Sequence, residues 1–282
     1  MKRFVLIFLI SAFTTSYLIY AKPIENPVVN QVEAQEKIKI LIVAGHDNDV
    51  GGARYMGVDE VELNRILALD LFNLLKSDPL FDPVVNQENG DYIPELKKYF
   101  EENKEKIIAY RKERREESKK EDEGKDIDLD PVIHNKVTEE VANRLYGTSM
   151  WAEEKGFDFM LHIHFNDYPG RPKNKPGKYF GFVVYAPDDS LKNHAESLPI
   201  AKAIYSELEK FQPKSNLPVE KDGIIESKDL IALGARDSLN IPSVLVEYAY
   251  MAEPRLQGGG RDEEIKKMAE ETYTAIKKYY SK

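Results

Sequence analysis

From residue 37 onward the chain alternates between short, nearly continuous apolar runs and longer segments whose apolar residues return every three or four positions. The run KIKILIVA at 37–44 is rich in β-branched residues and predicts a buried strand. Residues 59–76 follow it with Leu63, Leu67, Leu71 and Leu74 on one stripe, which predicts an amphipathic helix. FDFMLHIHF (157–165) and FGFVVYA (180–186) read as further strands, residues 190–211 as a helix, IPSVLVEYA (241–249) as a buried strand and residues 262–280 as a closing helix. Strands that are apolar on both faces and separated by helices need cover on both sides. The predicted fold is therefore α/β, a single domain with a mainly parallel twisted sheet and helices on both faces. Sites in such folds gather beyond the carboxyl ends of the strands.

Two segments break this alternation. Residues 94–126 are dominated by Lys, Arg and Glu and predict a long charged helical insertion. Leu96, Phe100, Ile107 and Tyr110 give its first half an apolar stripe, but no apolar residue follows until Ile127, so its second half is expected to project into solvent. It reads either as a solvated insertion or as an arm that lies over the site or binds a regulatory protein. At the other break, residues 1–21, Lys2 and Arg3 precede an uncharged run at 4–20 that ends before Ala21. This pattern is a signal peptide or an uncleaved N-terminal membrane anchor, and residues 4–20 would then be a membrane tether. Either reading exports the protein, making it secreted, periplasmic or held in the cell envelope. Residues 22–36 read as a polar linker, which leaves 37–282 as the functional domain.

Composition narrows the chemistry. A net charge of −9 offers no basic field to collect phosphates, so no nucleic-acid partner is expected. The absence of cysteine removes disulfides and thiolate ligands, and any metal must be held by carboxylates and by some of the five histidines. His46 closes the first strand in a Gly- and Asp-rich loop, and the helix after it opens DEVE, where Asp59 can cap, Glu62 can close a capping box and Glu60 sits in the first turn. His162 and His164 alternate with apolar residues in one strand and so share a face, where burial demands a metal or a carboxylate as partner. Glu247 ends an otherwise apolar strand. It is either a carboxyl of raised pKa able to carry a proton or a buried acid paired with an arginine such as Arg236. His134 and His194, in polar surroundings, read as surface residues.

These residues carry a resemblance. VAGHDNDVGGA followed by GVDEVELN, then LHIHFND, then IPSVLVEYAY, resembles the zinc-dependent N-acetylmuramoyl-L-alanine amidase family across residues 41–252. The resemblance implies Zn2+ held by His46, Glu60 and His164, with Glu247 as catalytic acid and base. It implies peptidoglycan as the substrate, cut at the amide between N-acetylmuramic acid and L-alanine. A related zinc carboxypeptidase or N-acyl-amino-acid hydrolase would use a similar set, and a non-catalytic wall-binding protein could keep the same fold. His162 stands where the family has Ser, so it is a second nitrogen donor or a group that orients water or a carbonyl. Asn166, Arg171 and Arg236 are further candidates for substrate contact or for support of the ligands, and the loop at 167–179 with Arg171, Lys173, Lys175 and Lys178 is a candidate for stem-peptide carboxylates.

Overall fold

Strand β1 (Ile38–Ala44) is buried from Ile40 onward, as its unbroken apolar run requires. A computed structural model describes residues 36–121, 137–168, 170–172 and 175–282. The leader, the linker as far as residue 35, residues 122–126 of the insertion, His134 and Lys173 lie outside the described residues. In chain order β1 is followed by a hairpin, β2 (Arg54–Tyr55) and β3 (Val58–Asp59), then α1 (Glu60–Ser77), β4 (Phe81–Val85) and a second hairpin, β5 (Gln87–Glu88) and β6 (Asp91–Tyr92). Next come α2 (Pro94–Glu102), α3 (Lys104–Glu121), α4 (Glu139–Lys155) and β7 (Phe159–Asn166). The chain ends with β8 (Val183–Pro187), α5 (His194–Phe211), β9 (Ile224–Ser227), β10 (Ser243–Tyr250) and α6 (Arg261–Tyr280).

The central sheet has the order β4-β1-β7-β10-β8-β9. β1 pairs in parallel with β4 and β7, and β7 pairs in parallel with β10. β8 runs antiparallel to β10, and among the described residues no crossover helix stands between β7 and β8. The sheet is thus mainly parallel, as expected. Ile40, Ile42 and Ala44 pack on one face with Leu63 and Leu67 of α1, Ile204 of α5 and Ile276 of α6. Leu41 and Val43 point to the opposite face, against Leu96 of α2 and Trp151 of α4. Helices therefore cover both sides. No helix among the described residues is long and apolar enough to cross a membrane.

The structure corrects several local expectations. Asp59 occupies the N-cap position of α1 but its side chain does not cap; it pairs with Arg54 at 3.3 Å, and Glu62 pairs with Arg261 at 3.3 Å. Two of the helix's first amides are met from the preceding loop instead, since the carbonyls of Ala53 and Gly51 accept from the amides of Glu60 and Val61. The insertion is two helices, broken at Asn103, whose side-chain amide donates to the Tyr99 carbonyl at 3.0 Å. Its packing also extends beyond Tyr110: Arg111 is buried against Glu139 of α4, and the Arg114 guanidinium lies 5.5 Å from the Tyr110 ring centre. Amphipathic patterning misses this, since an arginine stem packs like an apolar chain. Patterning also leaves α4 unassigned, although Thr138 caps its first turn and Gly156 ends it in the left-handed conformation at φ 65°.

Asp78, just past α1, fastens that helix to α6. It accepts from Lys277 Nζ at 2.7 Å and from the Tyr273 hydroxyl at 2.9 Å. The Lys277 bond, aided by the Leu80 amide and opposed by burial, lowers the Asp78 pKa to about 2. A carboxyl whose pKa falls on folding stabilises above its unfolded value of about 3.9, and that contribution is lost as pH falls toward the folded value. Asp78→Asn should cost about 1 kcal/mol or less at neutral pH, since Lys277 is half exposed. Urea unfolding at several pH values should show the gap to the parent closing between about pH 4 and about pH 2.

Candidate functional site

Side-chain parity across three neighbouring strands assembles the site. Val43 pairs with His162, and Leu245 and Glu247 of β10 pair with His162 and His164 of β7. His162, His164 and Glu247 therefore project from the face that α4 covers, near the carboxyl ends of their strands. His46 lies just past the end of β1, and Glu60 is the first residue of α1. The hairpin of β2 and β3 carries the chain from one to the other.

One ligand atom from each of His46, Glu60 and His164 lies within 4.8 Å of the others. Glu60 is the centre of the group. Its Oε2 is 3.1 Å from His46 Nε2, and its Oε1 is 3.1 Å from His164 Nδ1. The amides of Ala53 and Phe165 donate to the same two oxygens at 2.9 and 3.3 Å. Burial opposes the Glu60 charge, but the bonds to His164 and His46 outweigh it and hold the carboxyl well below its usual range. Burial pulls the His164 pKa down, only partly offset by Glu60. At His46 burial acts in the same direction, but Glu60 and Asp47 overcome it and raise the pKa.

The backbone is shaped around this cluster. His46 has φ 63°, in the left-handed region that an ordinary residue occupies only when its surroundings hold it there. Gln87 donates to the His46 carbonyl. The Asp47 carboxylate closes the next turn by accepting from Asp49 and Val50 at 3.0 and 2.8 Å, and Arg144 of α4 grips it from outside. A Cβ on Gly45 would overlap the His164 ring, and one on Gly52 would overlap Glu60 and His46. Two imidazoles and a carboxylate, in a cradle that only glycine leaves open, fit a divalent cation and leave coordination positions for substrate and water. The cluster faces a cavity of about 490 Å3 whose wall also includes His162, Glu247, Leu245 and, from α4, Val141, Arg144 and Thr148. No residue of 94–121 lines it, so the described part of the insertion does not lie over the site.

The other candidates divide. Glu247 lines the cavity, is 4% exposed, and has no partner on Oε2. Burial, with Glu60 and Glu220 adding, raises its pKa well above the ordinary carboxylate value. The alternative pairing with Arg236 does not form: Arg236 reaches the Tyr146 hydroxyl at 3.5 Å and lines a neighbouring groove. His162 lines the cavity outside the three-donor group, with an unpartnered Nε2 and a pKa that burial pushes down to about 3. Asn166 turns away and donates to the buried Glu220 at 3.0 Å. Arg171 is consumed by Asp167, at 2.7 and 2.8 Å, and by the Tyr55 ring, which removes it as a free carboxylate receptor. Sequence reading did not find Gln87, Asn64 or Arg144. Asn64, one helical turn after Glu60, was the most accessible of these, and it donates to the Gly45 carbonyl at 2.9 Å.

The open α/β sheet thus gathers, beyond the ends of its strands, three side chains that could hold a metal ion. The chain belongs to the N-acetylmuramoyl-L-alanine amidase family, whose model matches residues 40–278. A protein of Buchnera aphidicola, provisionally named as such an amidase, is 25% identical over 256 residues, which are 88% of this chain and 96% of that one. The CwlD amidase of Clostridioides difficile, solved in complex with the GerS lipoprotein, has a TM-score of 0.57 at 19% identity, covering 87% of this chain and 99% of its own. The amidase Ami1 of Mycobacterium smegmatis gives 0.56 at 16% identity, covering 86% and 97%. These two share the fold. Family membership makes the protein an enzyme of the bacterial cell wall, hydrolysing the amide between N-acetylmuramic acid and L-alanine in peptidoglycan.

Gly45→Ala should push His164 out of the cluster. Metal content after dialysis should fall well below that of the parent, with affinity reduced at least about tenfold, the scale on which displaced ligand support acts. Retention of parental metal content would show that the ring can move without loss.

Proposed function

We propose that the protein is a zinc amidase in which His46, Glu60 and His164 hold the ion and Glu247 carries the proton. Zn2+ bound there supplies Lewis acidity, which polarises a carbonyl and acidifies a water. The observation that carries the reading is the unpartnered Glu247 oxygen in the wall of the same cavity, on the strand beside His164. With its pKa raised by burial, Glu247 accepts a proton from the water that attacks the amide carbon. As the C–N bond breaks, the same carboxyl returns that proton to the L-alanine nitrogen. His162 stays neutral over the working range and offers its free Nε2 to orient the water or the carbonyl. A cation suited to nitrogen and carboxylate donors, with open positions, selects zinc over magnesium or calcium.

The substrate lies outside the cytoplasmic membrane, and residues 1–21 supply the route, as a cleaved export signal or an anchor that tethers the enzyme through residues 4–20. A regulatory protein that docks on the charged insertion belongs to the same reading, since the described insertion sits beside the cavity and leaves it open.

Glu247→Gln preserves shape but cannot take a proton. Turnover on purified peptidoglycan should fall at least about a hundredfold while the fold and about one zinc per chain are retained. His164→Ala should lose the zinc itself, read by elemental analysis of protein purified without chelator. Unfolding of Glu247→Gln, or near-parental activity, would assign Glu247 a structural role.

A further inference from the structure

Between α3, the start of α4 and the turn at Arg236 lies a second groove of about 380 Å3. It is continuous with the catalytic cavity, since Val137, Asp229 and Ile231 line both. Arg111, Arg115 and Arg236 are among the residues that line it. Arg111 is only 5% exposed; it reaches the Glu139 carboxylate at 3.2 Å and the Glu139 carbonyl at 3.4 Å, and its Nε has no partner. Arg115 makes no ion pair among the described residues, and Arg236 has only its long bond to the Tyr146 hydroxyl there. Among the described residues the lining carboxylates are Glu139, already engaged by Arg111, and Asp229. In a chain of net charge −9, an arginine-rich groove opening on the active cavity is a local reversal of sign.

The substrate is asymmetric in charge about the scissile amide. On one side lies the sugar with its hydroxyls and amides, and on the other a stem peptide bearing free carboxylates. We propose that this groove is the stem-peptide subsite, with Arg115 and Arg236 receiving the peptide's carboxylates and Arg111 holding the groove's wall through Glu139. The inference rests on the amidase reading and deepens it by setting which side of the bond lies where. Guanidinium groups suit the task because their fork matches a carboxylate and stays charged at every working pH. The loop at 167–179 is the rival receptor, but its arginine is spent on Asp167 and its Lys178 lies over the rings of Tyr168 and Tyr179.

The test uses the full-length protein, loaded with zinc, and two soluble muramoyl peptides that differ only in whether the peptide carboxylates are free or amidated. The parent should show a KM roughly tenfold lower for the acidic form, the size of one or two charge-assisted hydrogen bonds. In the double variant Arg115→Gln and Arg236→Gln, checked for a parental circular dichroism spectrum, the ratio of the two KM values should fall toward one. Arg111 is left in place because it is buried. Equal KM values in the parent, or a ratio unchanged in the double variant, would overturn the proposal. Calorimetric titration with the free acidic stem peptide separates the subsite from the reaction. Arginine-dependent binding without cleavage of either muramoyl peptide would uphold the groove and reject the amidase reading. Cleavage with no preference for the acidic peptide over its amide, in binding or in KM, would reject the groove alone.

Discussion

A buried carboxylate shared between two imidazoles is the constraint around which this protein is built. Taking the Glu60 charge out of water is expensive unless every lone pair finds a donor. The chain meets that requirement from three directions: His46 beyond β1, His164 on β7, and the amides of Ala53 and Phe165. Each source fixes a further feature. The Ala53 amide is delivered by the loop that leads into the first hairpin, Gly52 is needed beside it to let Glu60 and His46 close, and Gly45 is needed under His164. The position of Glu60 at the N-terminus of α1 adds the favourable end of the helix dipole. The convergence that satisfies the carboxylate is also what brings three donor atoms within reach of one cation.

The parts of this arrangement that were legible in the sequence are those with a short period. Strand runs and the leucine stripe of α1 reveal the sheet and one of its covers, and the two-residue spacing of His162 and His164 reveals their common face. The ligand set needed more, since composition and spacing alone left His162 and His164 equivalent. Only the structure shows that His164 meets Glu60 while His162 stands apart. What was not legible depends on contacts between distant segments. Arg144 holds Asp47 from 97 positions away, and Gln87 holds the His46 carbonyl from 41 away. Neither residue type signals such a role by its neighbours. Arg171 fails as a carboxylate receptor for a different reason: its partner Asp167 stands only four positions before it, and a count of basic residues in the loop overlooks that acid.

Two buried acids, Glu220 and Glu247, lie close enough to influence each other, and their surroundings differ sharply. Glu220 is 1% exposed and accepts four hydrogen bonds, from Asn166 and Tyr185 at 3.0 and 2.9 Å on one oxygen, and from Ser215 and Tyr250 at 2.6 and 2.7 Å on the other. Every acceptor position is in use, so this carboxyl is structural: it ties β7, β8 and β10 together through side chains from each. Glu247 is buried to a similar degree, yet one of its oxygens has no donor at all, and that carboxyl opens on the cavity. An unsatisfied acceptor in a protein interior costs stability, so the open oxygen of Glu247 is the less favourable of the two arrangements for the fold alone. The saturated network around Glu220 also contributes directly, since its proximity adds to burial in raising the Glu247 pKa. The same sheet thus saturates one acid with neutral donors and leaves an oxygen of its neighbour open to the cavity, where burial raises that carboxyl's pKa and favours its protonated form.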